Sequence, residues 1–154
     1  MADYLSVSFE DDLDGTGRLS VTADSAGFSG SSSAYFDAQR LIEFAEALGT
    51  YPLPDLPIKI AGGFWSTDAR RLEQEHVAVE VGKVGSRGHV GVQVHLMTAR
   101  WPDTRPESVG EVRLELLTNY SALDNFRREL VLVLSGGLGA ARLQGDQPWP
   151  GQMA

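Results

Sequence analysis

Apolar residues recur at helical spacing in the segment from Phe36 to Pro52. The stripe that they form consists of Leu41, Phe44, Ala45 and Leu48. Positions i, i+3, i+4 and i+7 lie on one side of an α-helix, so this pattern predicts an amphipathic helix. Asp37 is placed to cap its first turn, and Gly49 in a left-handed conformation would end it. Because the stripe must be buried, we expect the helix to lie across a sheet.

Alternation of apolar and polar residues predicts strands over most of the remaining chain. The predicted strands cover residues 4–9, 18–23, 27–36, 58–65, 75–84, 89–98 and 111–118. Gly62 and Gly63 in the fourth of these indicate a β-bulge or a strand end. The third is rich in serine and glycine, which predicts that another element covers it closely.

The best hairpin signal joins the strands at 75–84 and 89–98. If Val84 faces His89 across the turn, three further pairs fall on one face of the sheet. These pairs are Val81 with Val92, Val79 with Val94, and Val77 with Leu96. A slip of one residue would move every one of these side chains to the opposite face, so the pattern predicts the register.

A second helix is predicted from Ser121, with Ser121 and Asp124 forming a capping box. Its apolar positions are Leu123, Phe126, Leu130, Val133 and Leu134. The uninterrupted run from Leu130 to Leu134 leaves a buried strand as the alternative. The chain is therefore predicted to be one α+β domain over residues 1–136, with a mainly antiparallel, twisted sheet of about seven strands and two packed helices. Residues 137–154, rich in Gly, Gln and Pro, are predicted to be a flexible C-terminal tail.

Composition narrows the class of partner. The 154 residues contain no cysteine and carry a formal net charge of −8. This charge repels nucleic acid and anionic lipid and favours a basic protein partner. No run approaches the roughly 20 apolar residues of a membrane span, and the first residues lack a signal-peptide pattern. We expect a cytoplasmic protein that binds neither nucleic acid nor membrane.

The histidines are the first candidates for chemistry, since histidine binds metals and carries protons near neutral pH. In the predicted register His76 and Glu80 share a face with His95, so these three residues are a candidate metal site. The alternative is a solvated polar face, which we prefer because metal ligands usually group more tightly. The serine-rich and glycine-rich segments match no nucleophile or phosphate-binding motif. We therefore predict no catalytic residue, no cofactor and no enzymatic activity.

Acidic residues and tryptophans are the candidates for partner binding. The candidate contact residues are Glu10, Asp11, Asp12, Asp14, Trp65 and Trp101. The acidic segment loosely matches a calcium loop, but its twelfth position is Val21 rather than a bidentate glutamate, so an acidic hairpin turn is the better interpretation. Tryptophan is enriched at interaction hot spots. The alternative for both tryptophans is a lid over an edge of the core.

Several segments together resemble the WapI family of bacterial immunity proteins. They are GFSGSSSAYF, DAQRLIEFAEAL, YPLP, GHVGVQVHLMT and VRLELLTNYSALDNFRREL, within residues 17–135. The resemblance implies an antiparallel sheet with two helices and a protein that neutralises a cognate toxin, often a nuclease, inside the producing cell. It implies no catalytic residue.

The function that we expect is a non-catalytic immunity-type protein that binds a basic toxin domain through its acidic surface. One alternative is a structural or assembly subunit that forms homo-oligomers. Another is a small-ligand or metal protein that uses His76, Glu80 and His95.

Overall fold

A computed structural model describes residues 3–146 of the chain. Its elements follow the order βββαββββαβ, with a short 3₁₀ helix at Pro106–Ser108 before β7. The strands are β1 (Tyr4–Asp11), β2 (Thr16–Ser25), β3 (Phe28–Asp37), β4 (Ile58–Trp65), β5 (Leu72–Val84), β6 (His89–Met97), β7 (Glu111–Asn119) and β8 (Ala141–Gln144). The helices are α1 (Ala38–Ala47) and α2 (Tyr120–Leu134).

The strands form two antiparallel sheets of four. In the first sheet the order is β3-β2-β1-β8, and in the second sheet it is β4-β5-β6-β7. One hydrophobic core contains apolar residues of both sheets and both helices. The prediction of an α+β fold with antiparallel strands and two helices is confirmed, although the structure has eight strands and divides them between two sheets.

The register predicted for the central hairpin is confirmed. Val84 pairs with His89, and Val81, Val79 and Val77 pair with Val92, Val94 and Leu96 as the apolar pattern requires. The bulge predicted at Gly62 and Gly63 is also present, as a shift in the pairing of β4 with β5. The side chains of Val77, Val79 and Val81 and of their partners on β6 are buried, so burial of one face determines the register.

The serine-rich strand β3 is closely covered, as its small residues predicted. It contacts all four strands of the second sheet. A Cβ atom on Gly30 would lie 2.6 Å from Cγ1 of Val112, and Ser32 Oγ donates a hydrogen bond of 2.8 Å to the carbonyl of Met97. Larger side chains at these positions would hold the two sheets apart.

Helix α1 begins as predicted and ends differently. Asp37 caps it by accepting a hydrogen bond of 2.9 Å from the Gln39 amide, and its apolar stripe is buried. Gly49, however, is not in the left-handed region, so that prediction is wrong. A Cβ atom on Gly49 would lie 3.1 Å from the Arg127 side chain of α2. The absence of a side chain at residue 49 thus leaves room for Arg127.

Helix α2 is an α-helix through Leu134, so the alternative of a buried strand is wrong. Its cap is Asn119, whose side chain accepts a hydrogen bond of 2.8 Å from the Ala122 amide, rather than the predicted Ser121. Ser121 lies inside the first turn because β7 runs directly into the helix. Leu123, Phe126, Leu130 and Val133 are buried as their spacing predicted.

The prediction of a flexible tail is wrong for residues 141–144. These residues form β8, which pairs with β1, and both Ala141 and Leu143 are fully buried. Thr118 of β7 also donates a hydrogen bond of 2.8 Å to the Gln144 carbonyl. Beyond β8, the amides of Gly145 and Asp146 donate to the carbonyls of Asp3 and Leu117, and residues 147–154 of the predicted tail lie outside the described part of the chain. No helix in residues 3–146 is long and apolar enough to cross a membrane.

Candidate functional site

The predicted acidic segment forms the tip of the β1–β2 hairpin, here called the acidic hairpin (residues 10–14). All five residues are exposed. Asp11 accepts a hydrogen bond of 2.8 Å from the Leu13 amide, and Asp14 accepts bonds of 3.0 and 2.7 Å from the amide and hydroxyl of Thr16. The bonds from Thr16 hold the pKa of Asp14 below its ordinary value. Two of the four carboxylates therefore shape the turn, whereas Glu10 and Asp12 project from it.

Leu13 is the feature of this hairpin that sequence reasoning missed. Its side chain is 90% exposed, and its backbone is in the left-handed region with φ of 65°. A single exposed apolar side chain is common on protein surfaces, so the feature that distinguishes Leu13 is its position among four carboxylates at the tip of a hydrogen-bonded turn. The signal in the sequence was a single leucine among aspartates, in a loop where no neighbouring strand requires an apolar residue.

The two tryptophans lie on the second sheet, whereas the acidic hairpin belongs to the first. Trp65 ends β4 and is 40% exposed. Trp101 follows β6 and is 61% exposed, with its ring 4.7 Å from the ring of Phe64. Trp101 therefore agrees in part with the alternative of a lid. Its ring packs against Phe64, and most of the Trp101 side chain remains in solvent.

A groove of about 950 Å³ adjoins Trp101 and is lined by Phe64, Met97, Pro102 and Pro106 among others. The loop that forms one wall is held by Gln74. Its side-chain amide donates a bond of 2.9 Å to the Arg100 carbonyl and accepts one of 3.0 Å from the Arg100 amide. The Gln74 side chain thus bonds to the Arg100 backbone in the way that a neighbouring strand would. These two bonds attach the loop to β5.

His76 does not lie with His95 and Glu80, so the predicted grouping is wrong. Gly62 pairs with Val77 and Gly63 pairs with Glu75, which leaves His76 as the extra residue of the bulge. The His76 ring packs edge-on against Phe64 with centroids 4.5 Å apart, and Nε2 lies 3.0 Å from Oε1 of Gln74. Burial, and secondarily the charge of Arg100, hold the pKa of His76 below its ordinary value.

The lowered pKa of His76 gives stability a dependence on pH. The unfolded chain binds this proton near pH 6.5, whereas the folded chain resists it to a lower pH. The contribution of His76 is therefore complete above pH 6.5 and is lost as pH falls below that value. We expect the free energy of unfolding in urea to fall more between pH 7.5 and 5.5 in the wild type than in His76→Gln. Equal falls in the two proteins would contradict this assignment.

The outward side of the second sheet, here called the polar face, carries two rows of side chains in register. One row is Lys59, Glu80, Gln93 and Glu115, and the other is Ala61, Ala78, His95 and Arg113. The core lies on the opposite side of the sheet, where the valines of β5 and β6 are buried. Together with Glu75, members of both rows line a cavity of about 450 Å³.

His95 is held between two carboxylates on this face. Its Nδ1 lies 2.5 Å from Oε2 of Glu75, and its Nε2 lies 2.6 Å from Oε2 of Glu111. The bond to His95 is the main reason that the pKa of Glu111 lies below its ordinary value. A carboxylate oxygen therefore lies against each ring nitrogen of His95, and neither nitrogen is open to a metal or a substrate.

The side chains of the candidate metal site therefore do not come together. His76 lies in the bulge against Phe64, and His95 is bonded on both sides by carboxylates. Across residues 3–146, no group of three or more His, Cys, Asp or Glu side chains is arranged to hold a metal ion. The acidic segment joins β1 to β2, so it is the hairpin turn that the sequence favoured over a calcium loop.

Comparisons of the chain with family models, with curated proteins and with solved structures give no match. The function is therefore argued from the side chains themselves. The structure offers an acidic hairpin with an exposed leucine, an aromatic groove at Trp101 and a polar face around His95. The first of these combines charge, apolar surface and rigidity in one place.

Proposed function

We propose that this protein is a non-catalytic binding protein of the immunity type, which acts in the cytoplasm and neutralises a basic toxin domain, such as a nuclease, by binding it. The observation that supports the proposal best is the acidic hairpin, where Leu13 is 90% exposed amid four carboxylates. An apolar side chain surrounded by charges resembles a binding anchor with a polar rim.

The hairpin is held rigid before any partner arrives. Asp11 and Asp14 bond to the backbone of their own turn, and the Ala38 amide at the start of α1 donates a bond of 2.8 Å to the Gly15 carbonyl. A rigid binding loop loses less conformational entropy on association than a mobile one. This anchoring favours a role in recognition over a role as a solvated turn.

Electrostatics supports a basic partner. The net charge of −8 attracts a positively charged protein and speeds its association, because complementary potentials steer the encounter. The same charge opposes binding to nucleic acid or to anionic lipid. An inhibitor of a nuclease needs this property, since the substrate-binding surface of such an enzyme is itself basic. The choice of a toxin as partner rests on the resemblance to the WapI family.

The proposal predicts that Glu10→Gln with Asp12→Asn weakens partner binding. Neither side chain bonds within the turn, so the fold should be preserved. The tagged protein would be used to isolate its partner from the cells that produce it, and affinity and inhibition would then be measured with the purified partner. We expect a loss of affinity of roughly three- to tenfold, mainly in the association rate and smaller at high salt.

A matched control removes two charges elsewhere. Glu43 and Glu46 are exposed on α1, and Glu43→Gln with Glu46→Gln changes the net charge by the same amount. This control should bind with nearly wild-type affinity. Equal losses in the two double variants would mean that only net charge matters, and a partner whose activity is unaffected by the wild-type protein would exclude an immunity function.

One observation favours the second candidate, an assembly subunit that forms homo-oligomers. Val131 and Leu132 near the end of α2 are 45% and 49% exposed, and Leu138 beyond it is 39% exposed. The Gly137 amide donates a bond of 2.8 Å to the Leu132 carbonyl, so these residues lie in one compact turn. Sedimentation equilibrium distinguishes the candidates, since a concentration-independent oligomer abolished by Leu132→Asp would favour assembly.

A further inference from the structure

The polar face is a sheet face that no described element covers. Both helices and the first sheet contribute to the core on the other side of β4–β7. Small residues make the polar face concave: Ala78 lies in the cavity of about 450 Å³, and Gly82 and Gly91 line a second depression of about 120 Å³. Glu80, Gln93 and Glu115 separate the two depressions and line both of them.

Most of the polar side chains on this face are already paired. Glu75 and Glu111 bond to His95, with Lys59 at 3.8 Å from Glu75 and Arg113 at 3.5 Å from Glu111. Gln93 Nε2 lies 3.3 Å from Oε2 of Glu115 and donates to it. The side chains of Lys59 and Arg113 each lie near a carboxylate other than Glu80, and both remain largely exposed.

Two acceptors remain without a donor. Within residues 3–146, no side chain or amide donates to the carboxylate of Glu80 or to Oε1 of Gln93. These two residues are direct neighbours across β5 and β6. Glu80 is also half-buried, so its charge is only partly hydrated. A group that carries donors alone, and a positive charge, complements this pair.

We propose that the polar face binds the guanidinium group of an arginine side chain from a basic protein partner, with Glu80 and Gln93 Oε1 as its acceptors. Adjacent strands lie about 4.8 Å apart, which places the two acceptors within reach of the forked donors of one guanidinium. An ammonium is a point charge and matches two separated acceptors less well. The inference rests on the proposed function for the basic character of the partner.

Lys59 is the internal competitor for this position. It pairs with Glu80 across β4 and β5, and it lines the same cavity, yet its Nζ lies near Glu75. Movement of Lys59 to Glu80 would fill the position that we assign to the guanidinium. Removal of Lys59 should therefore strengthen arginine binding, whereas removal of Glu80 should weaken it.

The test uses acetyl-arginine-methylamide as the probe and the full chain labelled with ¹⁵N. Titration should shift the backbone amide resonances of Gly82 and Gly91. We expect Glu80→Gln to weaken the affinity for the probe about tenfold, because a charged acceptor is lost. Lys59→Met should tighten binding, and the surface variant Glu43→Gln should leave it unchanged. The matching lysine derivative should bind more weakly than the arginine derivative.

Two results would overturn this inference. One is the absence of shifts at Gly82 and Gly91, and the other is binding that Glu80→Gln leaves unchanged, which would indicate diffuse attraction to an acidic surface. Failure of the proposed function is distinguishable from either, because the probe reports on the polar face without the natural partner. The hairpin variant Glu10→Gln with Asp12→Asn should bind the probe like the wild type.

Discussion

Replacement of Gly63 by alanine is expected to destabilise the fold by about 3 kcal/mol, because the bulge leaves no space for a side chain. A Cβ atom at this position would lie 1.9 Å from the carbonyl oxygen of Gln74 and 2.9 Å from the His76 amide. Both contacts are with backbone atoms, so β4 and β5 would have to move apart. The free energy of unfolding in urea is the measurement.

Gly82→Ala is the matched control in the same sheet. Its added methyl group would meet the Pro57 ring at 3.7 Å, which is an ordinary contact. This variant should differ from the wild type by less than about 1 kcal/mol, the usual size of effect for a glycine change without strain. If Gly63→Ala were as stable as Gly82→Ala, the pairing of Gly63 with Glu75 would be wrong.

The bulge variant also has a consequence for the groove. Gln74 holds the Arg100 loop through two hydrogen bonds, and its carbonyl is the atom that the new methyl group would displace. We therefore expect Gly63→Ala to change the environment of Trp101, whose ring lies against Phe64. A shift in tryptophan fluorescence of the folded variant would report this change.

Phe126→Ala is expected to lower the free energy of unfolding by about 3–5 kcal/mol, as for other large core aromatics. Phe126 is only 2% exposed and is among the largest fully buried side chains. It lies on the apolar stripe of α2, which contacts α1, β1, β7 and β8. The cavity left behind would be bordered by several elements that cannot all move inward together.

Phe28→Ala provides the same chemical change at a solvated position. Phe28 begins β3 and is 68% exposed. Its replacement should change stability by no more than about 0.5 kcal/mol, as is usual for surface positions. Chemical denaturation of both variants gives the comparison. A small effect of Phe126→Ala would mean that α2 does not pack into the core as described.

The elements that rest on a local pattern were predictable from the sequence. Valines at every second position of β5 and β6, with a loop of four residues between them, admit one register that buries a whole face, and that register is present. The stripe of α1 and its cap at Asp37 follow from spacing and from the chemistry of the first turn. In each case residues close together in the sequence determine the local structure.

The candidate site was predictable only in part. The acidic hairpin follows from a turn signal at Asp14 and Gly15, but the exposure of Leu13 depends on what packs nearby. The bonds of His95 to Glu75 and Glu111 join residues 20 and 16 positions away, on two different neighbouring strands. The bulge at Gly62 and Gly63 was expected, and its effect on His76 follows only when the pairing of β4 with β5 is known.

By itself the sequence determined the α+β class, both helices, the hairpin register and the acidic character of the surface, because each depends on short-range periodicity or on composition. Tertiary structure alone decided the division into two sheets, the pairing of β8 with β1 and the contacts of His95 with Glu75 and Glu111. The strand β8 has only four residues, and it becomes a strand because β1, far away in the chain, offers it backbone partners and a buried site for Leu143. Such pairings depend on which strand edges, far apart in the sequence, become neighbours when the core is buried. The local pattern of apolar and polar residues does not specify them.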